Sequence, residues 1–143
     1  MSNTFARSTR RVGIDASVHD FYKELTTGKS AEDSPFLTMK DLFMLAASIG
    51  FRTQQRKPLG RREQPFHYSV FTEAEDLPIL KAMAIATTGD VSVLADPDQI
   101  VQIAEEYANA GISEIRAVVA DNAGLPLWNL VEAIRQSNEE VRQ

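Results

Sequence analysis

TMKDLFMLAASIGF, residues 38–51, decides how the rest of the chain must fold. Thr38 is a good N-cap, because its hydroxyl can accept a bond from an otherwise orphaned amide of the first turn. Asp41 puts a negative charge near the positive end of the helix dipole and stands at the capping-box position. Gly50 is the expected stop, since it can take the left-handed conformation that ends a helix. Between these signals Met39, Leu42, Phe43, Met44, Leu45, Ala46, Ala47 and Ile49 cover nearly the whole circumference. A helix that is apolar almost all round is buried on more than one side. At this length it cannot cross a membrane, which takes about 20 apolar residues. Other helices must therefore wrap it.

A length of 143 residues with 43% hydrophobic content suits one domain with a real core. The chain has no cysteine, which excludes disulfides and thiolate chemistry. The N-terminus has no apolar run, so neither a secretion signal nor a membrane anchor is expected, and the reading is a cytoplasmic protein. The net charge of -5 hides an asymmetry. Residues 1–70 hold 11 Lys+Arg against 7 Asp+Glu, and residues 71–143 hold 4 against 13. A basic front and an acidic back suit a polar partner surface, head-to-tail self-contact, or simply two solvated faces.

Outward from the central helix, residues 1–13 read as a flexible arm whose charges are Arg7, Arg10 and Arg11. Residues 14–137 read as a single helical domain and 138–143 as a polar tail. Val18, Phe21, Tyr22 and Leu25 recur at helical spacing, with Asp15 or Ser17 as cap. Leu37 is placed to act as a hydrophobic staple before Thr38. Phe66–Phe71 is aromatic and β-branched, and a hairpin pairing it with Phe51–Arg56 is expected. Thr72 caps a helix whose buried face is Leu77, Leu80, Met83 and Ala84, closed by Gly89. Asp96-Pro97 opens another, with Ile100, Val101, Ile103, Ala104 and Tyr107 inward and Gly111 as its end. Ser113 starts a short helix with Ile115, Val118 and Val119, and a turn follows at Asp121-Asn122-Ala123-Gly124. The last helix, from Leu125 to Gln136, is expected to bury Leu127, Trp128, Leu130, Val131 and Ile134. The fold class is mainly α: a compact bundle of about five or six helices with a small inserted β-hairpin.

The chemistry is sparse. RTQQRKPLGRR, residues 52–62, has Arg52, Arg56, Lys57, Arg61 and Arg62 in eleven residues. Guanidinium groups pair bidentately with phosphate or carboxylate, so the segment suits nucleic-acid backbone or an acidic protein, and otherwise a solvated loop. Thr27-Gly28-Lys29-Ser30 resembles the end of a phosphate loop, but Lys23 stands where the motif needs its first glycine. His19 and His67 are the only histidines, nothing in the spacing gathers carboxylates around them, and no metal site or cofactor is expected. His67 lies among aromatics, which suits a partly buried core edge. Glu105 and Glu106 are adjacent on a helix and point apart, so they form no catalytic pair. No nucleophile–base set stands out, and the expectation is a protein that is not an enzyme.

Four segments carry a family resemblance: Tyr22–Gly28 (YKELTTG), Pro35–Ala47 (PFLTMKDLFMLAA), Lys57-Pro58-Leu59, and Ile103–Ile112 (IAEEYANAGI). Together they resemble the dnd (DNA phosphorothioation) system-associated protein four family, over about residues 20 to 135. The resemblance implies an accessory role in sulfur-based DNA modification or restriction defence, with a dnd-type protein partner or DNA backbone as what it binds. It supplies no catalytic residues. The cations of the 52–62 segment, with Arg7, Arg10 and Arg11, are the candidate contacts. The alternative is a transcriptional regulator in which the central helix and the hairpin make a winged-helix-like unit, although that helix offers few polar side chains to read bases. A hydrolase with a dispersed carboxylate site is the third reading.

Overall fold

The computed structural model describes residues 5, 8–28, 30–120 and 124–142. In chain order run β1 (Arg11–Asp15), α1 (His19–Thr26), α2 (Met39–Arg52), β2 (Arg62–His67), α3 (Asp76–Thr88), α4 (Pro97–Ala120) and α5 (Pro126–Arg142). Single 3-10 turns lie at Ala16–Val18, Tyr68–Val70 and Val91–Ala95. The fold class is the expected one, a mainly α domain with a small two-stranded antiparallel sheet.

The central helix is enclosed as its composition requires. Thr38 Oγ1 accepts from the Asp41 amide at 3.2 Å and donates to the Asp41 carboxylate at 2.9 Å. Leu42, Phe43, Ala46, Ala47 and Gly50 are buried, and no residue from 39 to 51 is exposed. Leu37 is no staple: it is 92% exposed.

Gly50 does not stop this helix. It sits where α2 crosses α4, and a Cβ there would fall on the Tyr107 carbonyl oxygen. Gly111 of α4 is the reciprocal case, since a Cβ would fall on the Ala46 carbonyl and lie 2.9 Å from the Gly50 nitrogen. For the same reason Gly111 ends nothing. The expected helix before it and the one from Ser113 are a single helix, Pro97–Ala120, and the described helices number five. A mid-helix glycine costs about 1 kcal/mol relative to alanine. Here it lets two backbones touch, and contact outweighs propensity.

The true end of α2 is a Schellman motif. The Gln55 amide bonds to Gly50 O at 2.9 Å and the Gln54 amide to Phe51 O at 3.1 Å. Gln54 takes φ 55° at the left-handed position that glycine usually fills. Phe51 stays in the helix because its ring packs edge-on to Tyr107, with centroids 5.5 Å apart.

Consequently residues 51–56 are not a strand. The partner of β2 is β1, in the register Arg11↔His67, Val12↔Phe66, Ile14↔Glu63 and Asp15↔Arg62, with an irregularity between Val12 and Ile14. Val12 and Ile14 are buried and β-branched, which suits the inner face of a ribbon. The described part of the expected N-terminal arm is thus built into the fold at Arg11–Asp15, and Phe5 is buried with its ring 6.0 Å from that of Tyr68.

The helix at Asp96-Pro97 starts where expected, but α3 starts at Asp76 with Glu75 at its N-cap, and the Thr72 expected as the cap lies before the turn that precedes it. Asp76 N donates to Thr72 Oγ1 at 3.1 Å and Thr72 N to Asp76 Oδ2 at 2.8 Å. Gln99 N donates to Asp96 Oδ1 at 3.2 Å, and Gly89 closes α3 at φ 68°. Of the 121–124 turn only Gly124 is described. The last helix departs most. It runs on through the expected tail to Arg142, and Trp128, Val131 and Ile134 are exposed rather than core, with Leu127 and Leu130 half-buried. Among the described residues no helix is long and apolar enough to cross a membrane.

Gln54 is exposed, so replacing it tests the helix end alone. Gln54→Gly is expected to stabilise the fold by roughly 0.5–1 kcal/mol, because glycine takes φ > 0 without the Cβ clash. Chemical denaturation would check this, and a loss of stability would contradict the assigned cap.

Candidate interaction surface

The basic segment leaves α2 at Arg52 and crosses α4 before entering β2. It lacks regular structure between Gln55 and Leu59, so its backbone groups need other partners. Lys57 N donates to Glu106 O at 3.0 Å. Asn109 Nδ2 donates to the carbonyls of Lys57 at 3.2 Å and Pro58 at 3.1 Å. Gly60 N donates to Asp15 Oδ2 at 2.8 Å, and Ala16 N to Arg61 O at 2.7 Å. The segment is therefore pinned along its length while its side chains stay exposed.

Its cations divide into two groups. Arg56 pairs with Glu106 at 3.0 Å, its guanidinium 5.7 Å from the centre of the Tyr107 ring. Arg62 pairs with Glu105 at 2.8 Å. Arg52 reaches Ser137 Oγ at 3.4 Å. Lys57 and Arg61 are exposed, and neither side chain makes a hydrogen bond or ion pair among the described residues. The other candidate cations sit on or beside β1. Arg10 pairs with Asp98 at 2.7 Å. Arg11 donates to Gln64 O at 2.7 Å and to His67 Nε2 at 2.7 Å. Arg7 lies outside the described residues. The sheet thus sets Arg11 on the same ribbon as Arg62, at opposite ends of it.

His67 is exposed rather than set in a core edge. Its Nδ1 lies 3.3 Å from Thr9 O and its Nε2 faces the Arg11 guanidinium. Arginine only donates, so Nε2 accepts and the proton sits on Nδ1.

Glu105 holds the site to the core. Its side chain is 4% exposed, and one oxygen accepts from Arg62 at 2.8 Å and from the Gly13 amide at 2.6 Å. A Cβ at Gly13 would fall on the Arg62 guanidinium, the flexible end of a long side chain, so a larger residue there would push that group from its present place beside Glu105. Burial pushes the Glu105 carboxyl above its ordinary value, with the Gly13 amide and Arg62 acting the other way. The Tyr68 hydroxyl, 3.3 Å from Asp98 Oδ1, is pushed up to about 12 by burial and then by the charges of Glu105 and Asp98. The Gly60 amide, with Ser17, holds Asp15 below the usual carboxylate range. At Asp76 burial opposes the charge, but the Lys40 ammonium at 2.8 Å and the Thr72 donors together outweigh it and lower its pKa.

Glu105 and Glu106 do point apart, each to a different arginine of the basic segment. Among the described residues no three His, Asp or Glu side chains gather as metal ligands. The Gly28 amide is spent on Ser34 Oγ at 2.6 Å, and Lys29 lies outside the described residues. The anchoring roles of Glu105, Asp15, Asn109 and Gly13 are not in the sequence reading. One signal was present: Glu105 falls four residues after Val101 and three before Ala108, on the buried stripe of its helix, and a carboxylate there demands a partner.

The family model for DNA sulphur modification system-associated protein 4 matches residues 11–142. The chain belongs to that family. No curated protein and no solved structure matches it.

Arg62→Ala strips the cation from a buried carboxylate. An uncompensated buried charge costs several kcal/mol, and the half-exposed Arg62 brings the expected loss down to about 2 kcal/mol near neutral pH. A carboxyl whose folded pKa is raised binds more protons folded than unfolded, so stability falls as pH rises above the ordinary 4.5 toward the raised value. Losing Arg62 raises it further, so the penalty should shrink as the solution is acidified toward that ordinary value. Denaturation of both proteins across pH tests this; a pH-independent difference would contradict it.

Proposed function

We propose that this member of the family is a non-catalytic accessory component of a DNA phosphorothioation system, and that it docks an acidic face of a protein partner through Arg52, Lys57 and Arg61. The observation that carries the reading is the division of the cations. Arg56 and Arg62 are spent on Glu106 and Glu105, which fix the segment's course, while Lys57 and Arg61 make no hydrogen bond or ion pair among the described residues, Lys57 acting only through its charge on Asp15, and Arg52 has one long bond to a hydroxyl. A backbone already pinned loses little further entropy on binding, so the ordering cost falls on the free side chains. Both glutamates of the adjacent acidic pair are committed to arginines, so neither is free for acid–base work. On this reading the protein acts in the cytoplasm.

Direct contact with DNA backbone is the second reading. It is favoured by the ribbon, which carries the exposed Arg11 at the end away from Arg62. Against it stand the net charge of -5 and the few free cations, where a DNA footprint neutralises several phosphates. A winged-helix regulator fits less well, because α2 has no exposed face to lay in a groove.

Capture of the tagged chain from its native host, with and without nuclease, decides between these. Proteins of the DNA sulphur modification system should be recovered in both samples and lost when Arg52, Lys57 and Arg61 are all changed to Ala. Recovery that requires intact DNA would favour the second reading. Recovery unchanged in the triple variant would overturn both.

A further inference from the structure

The last helix lies beside the body without burying a side chain. Over residues 126–140 no position of α5 is buried, and Leu130, Ala133 and Ser137 are half-buried on the face turned inward. Its fastenings are uneven. At the start, the Leu127 amide donates to Glu32 O at 3.0 Å, and Asn129 Nδ2 donates to Val119 O at 3.3 Å and to Gly124 O at 3.4 Å. Beyond that, among the described residues, the one hydrogen bond from residues 130–140 to the body is Arg52 donating to Ser137 Oγ at 3.4 Å. Between the two fastenings α5 stands off from α2 and α4 across an open groove of about 470 Å³. Leu45, Ile49 and Ile115 line one wall of it, and Leu130, Ala133 and Ile134 the other. Trp128 and Val131 do not line it and lie outside.

Apolar walls gain by leaving water, in proportion to the area they cover in each other. The body wall also carries Arg52 and Glu114, charges of opposite sign. From α5 the groove receives Ser137 and Asn138, a hydroxyl and an amide, and each of these both donates and accepts. The helix that forms one wall can therefore answer both charges of the other, which a ligand of one sign cannot do. We infer that α5 is a hinged clasp: it closes about its fastened start, sets Leu130 and Ile134 on Ile49 and Ile115, and so withdraws Arg52 from the docking surface. Glu140 lies three residues beyond Ser137, on the same side of the helix, and is exposed. Closure draws it toward Arg52, where it competes with the acidic face of the partner. A partner that needs Arg52 binds the open position better, so it opens the clasp, and the closed clasp weakens the partner to the same extent. This inference rests on the docking reading above and supplies the regulation of that surface.

The chain has no cysteine, so introduced thiols test this on the full chain without background. Gln136→Cys on α5 and Ala82→Cys on α3 place spin labels at two exposed positions. Double electron–electron resonance should give two distances, and Ile134→Asp, which sets a charge on the closing face, should remove one of them. A single distance that Ile134→Asp leaves unchanged would overturn the inference. Ile49→Cys with Ile134→Cys locks the clasp, because a disulfide needs Cα atoms within about 7 Å and forms across these walls only when they meet. Mild oxidation should give an intrachain bond. Disulfides formed only between chains, read as a doubled mass on a non-reducing gel, would overturn the inference by making a second copy what meets α5. With the locked chain as bait, recovery of proteins of the DNA sulphur modification system from the host should fall about tenfold and return on reduction. The reduced form of the same variant is the folding control. A locked chain that captures normally, while the Arg52/Lys57/Arg61 variant does not, would sink the clasp and leave the docking reading standing.

Discussion

The backbones of α2 and α4 touch at Gly50 and Gly111, and the remaining architecture follows from that contact. Each glycine sits one turn from the residue whose carbonyl the other approaches: Ala46 before Gly50, and Tyr107 before Gly111. Ala47, Ala104 and Ala108 keep the surroundings small, and all three are buried. The crossing fixes where α2 ends relative to α4. From that end the chain reaches β2 over residues 105–109 of α4. The hydrogen bonds of Lys57, Pro58 and Arg62 to Glu106, Asn109 and Glu105 are its local result. A wider separation of the two helices would move the carboxylates away from the arginines that need them.

The buried carboxylate then couples the core to the surface. Glu105 alone ties together three elements: its own helix, the Gly13 amide of β1 and the Arg62 side chain of β2. A buried charge is a poor source of net stability, because desolvation offsets most of the attraction. What it provides is specificity. Few other placements of the ribbon leave Glu105 satisfied. The basic segment is thereby presented in one conformation, with the cations facing solvent selected by which two the glutamates have claimed.

Much of this was legible in the sequence. Caps at Thr38 and Asp96, the stop at Gly89 and the buried faces of α1 to α4 follow from local chemistry and periodicity, and the structure has them. The misreadings share a cause. Glycine marks both helix ends and helix crossings, and at Gly50 and Gly111 the difference is made by a partner more than 50 residues away. Likewise the strand partner of Phe66 is Val12, since residues 51–56 are drawn into the end of α2 and the anchored loop. Sequence periodicity also reports an apolar stripe without saying whether the fold or another molecule covers it. That is why Trp128, Val131 and Ile134 read as core. The five cations of the 52–62 segment were visible as a set, but their division into spent and free depended on Glu105 and Glu106.

The crossing can be tested by a substitution whose sign is diagnostic. At an ordinary mid-helix position Gly→Ala stabilises by about 1 kcal/mol. At Gly111 the added methyl group has no room beside the Ala46 carbonyl, and overpacking of this kind typically costs about 1–3 kcal/mol. Equilibrium denaturation of Gly111→Ala is therefore the most direct measurement. A loss of roughly 2 kcal/mol or more is expected. A gain near the propensity value would mean that the two backbones do not touch there, and the path of the basic segment over α4 would lose its foundation.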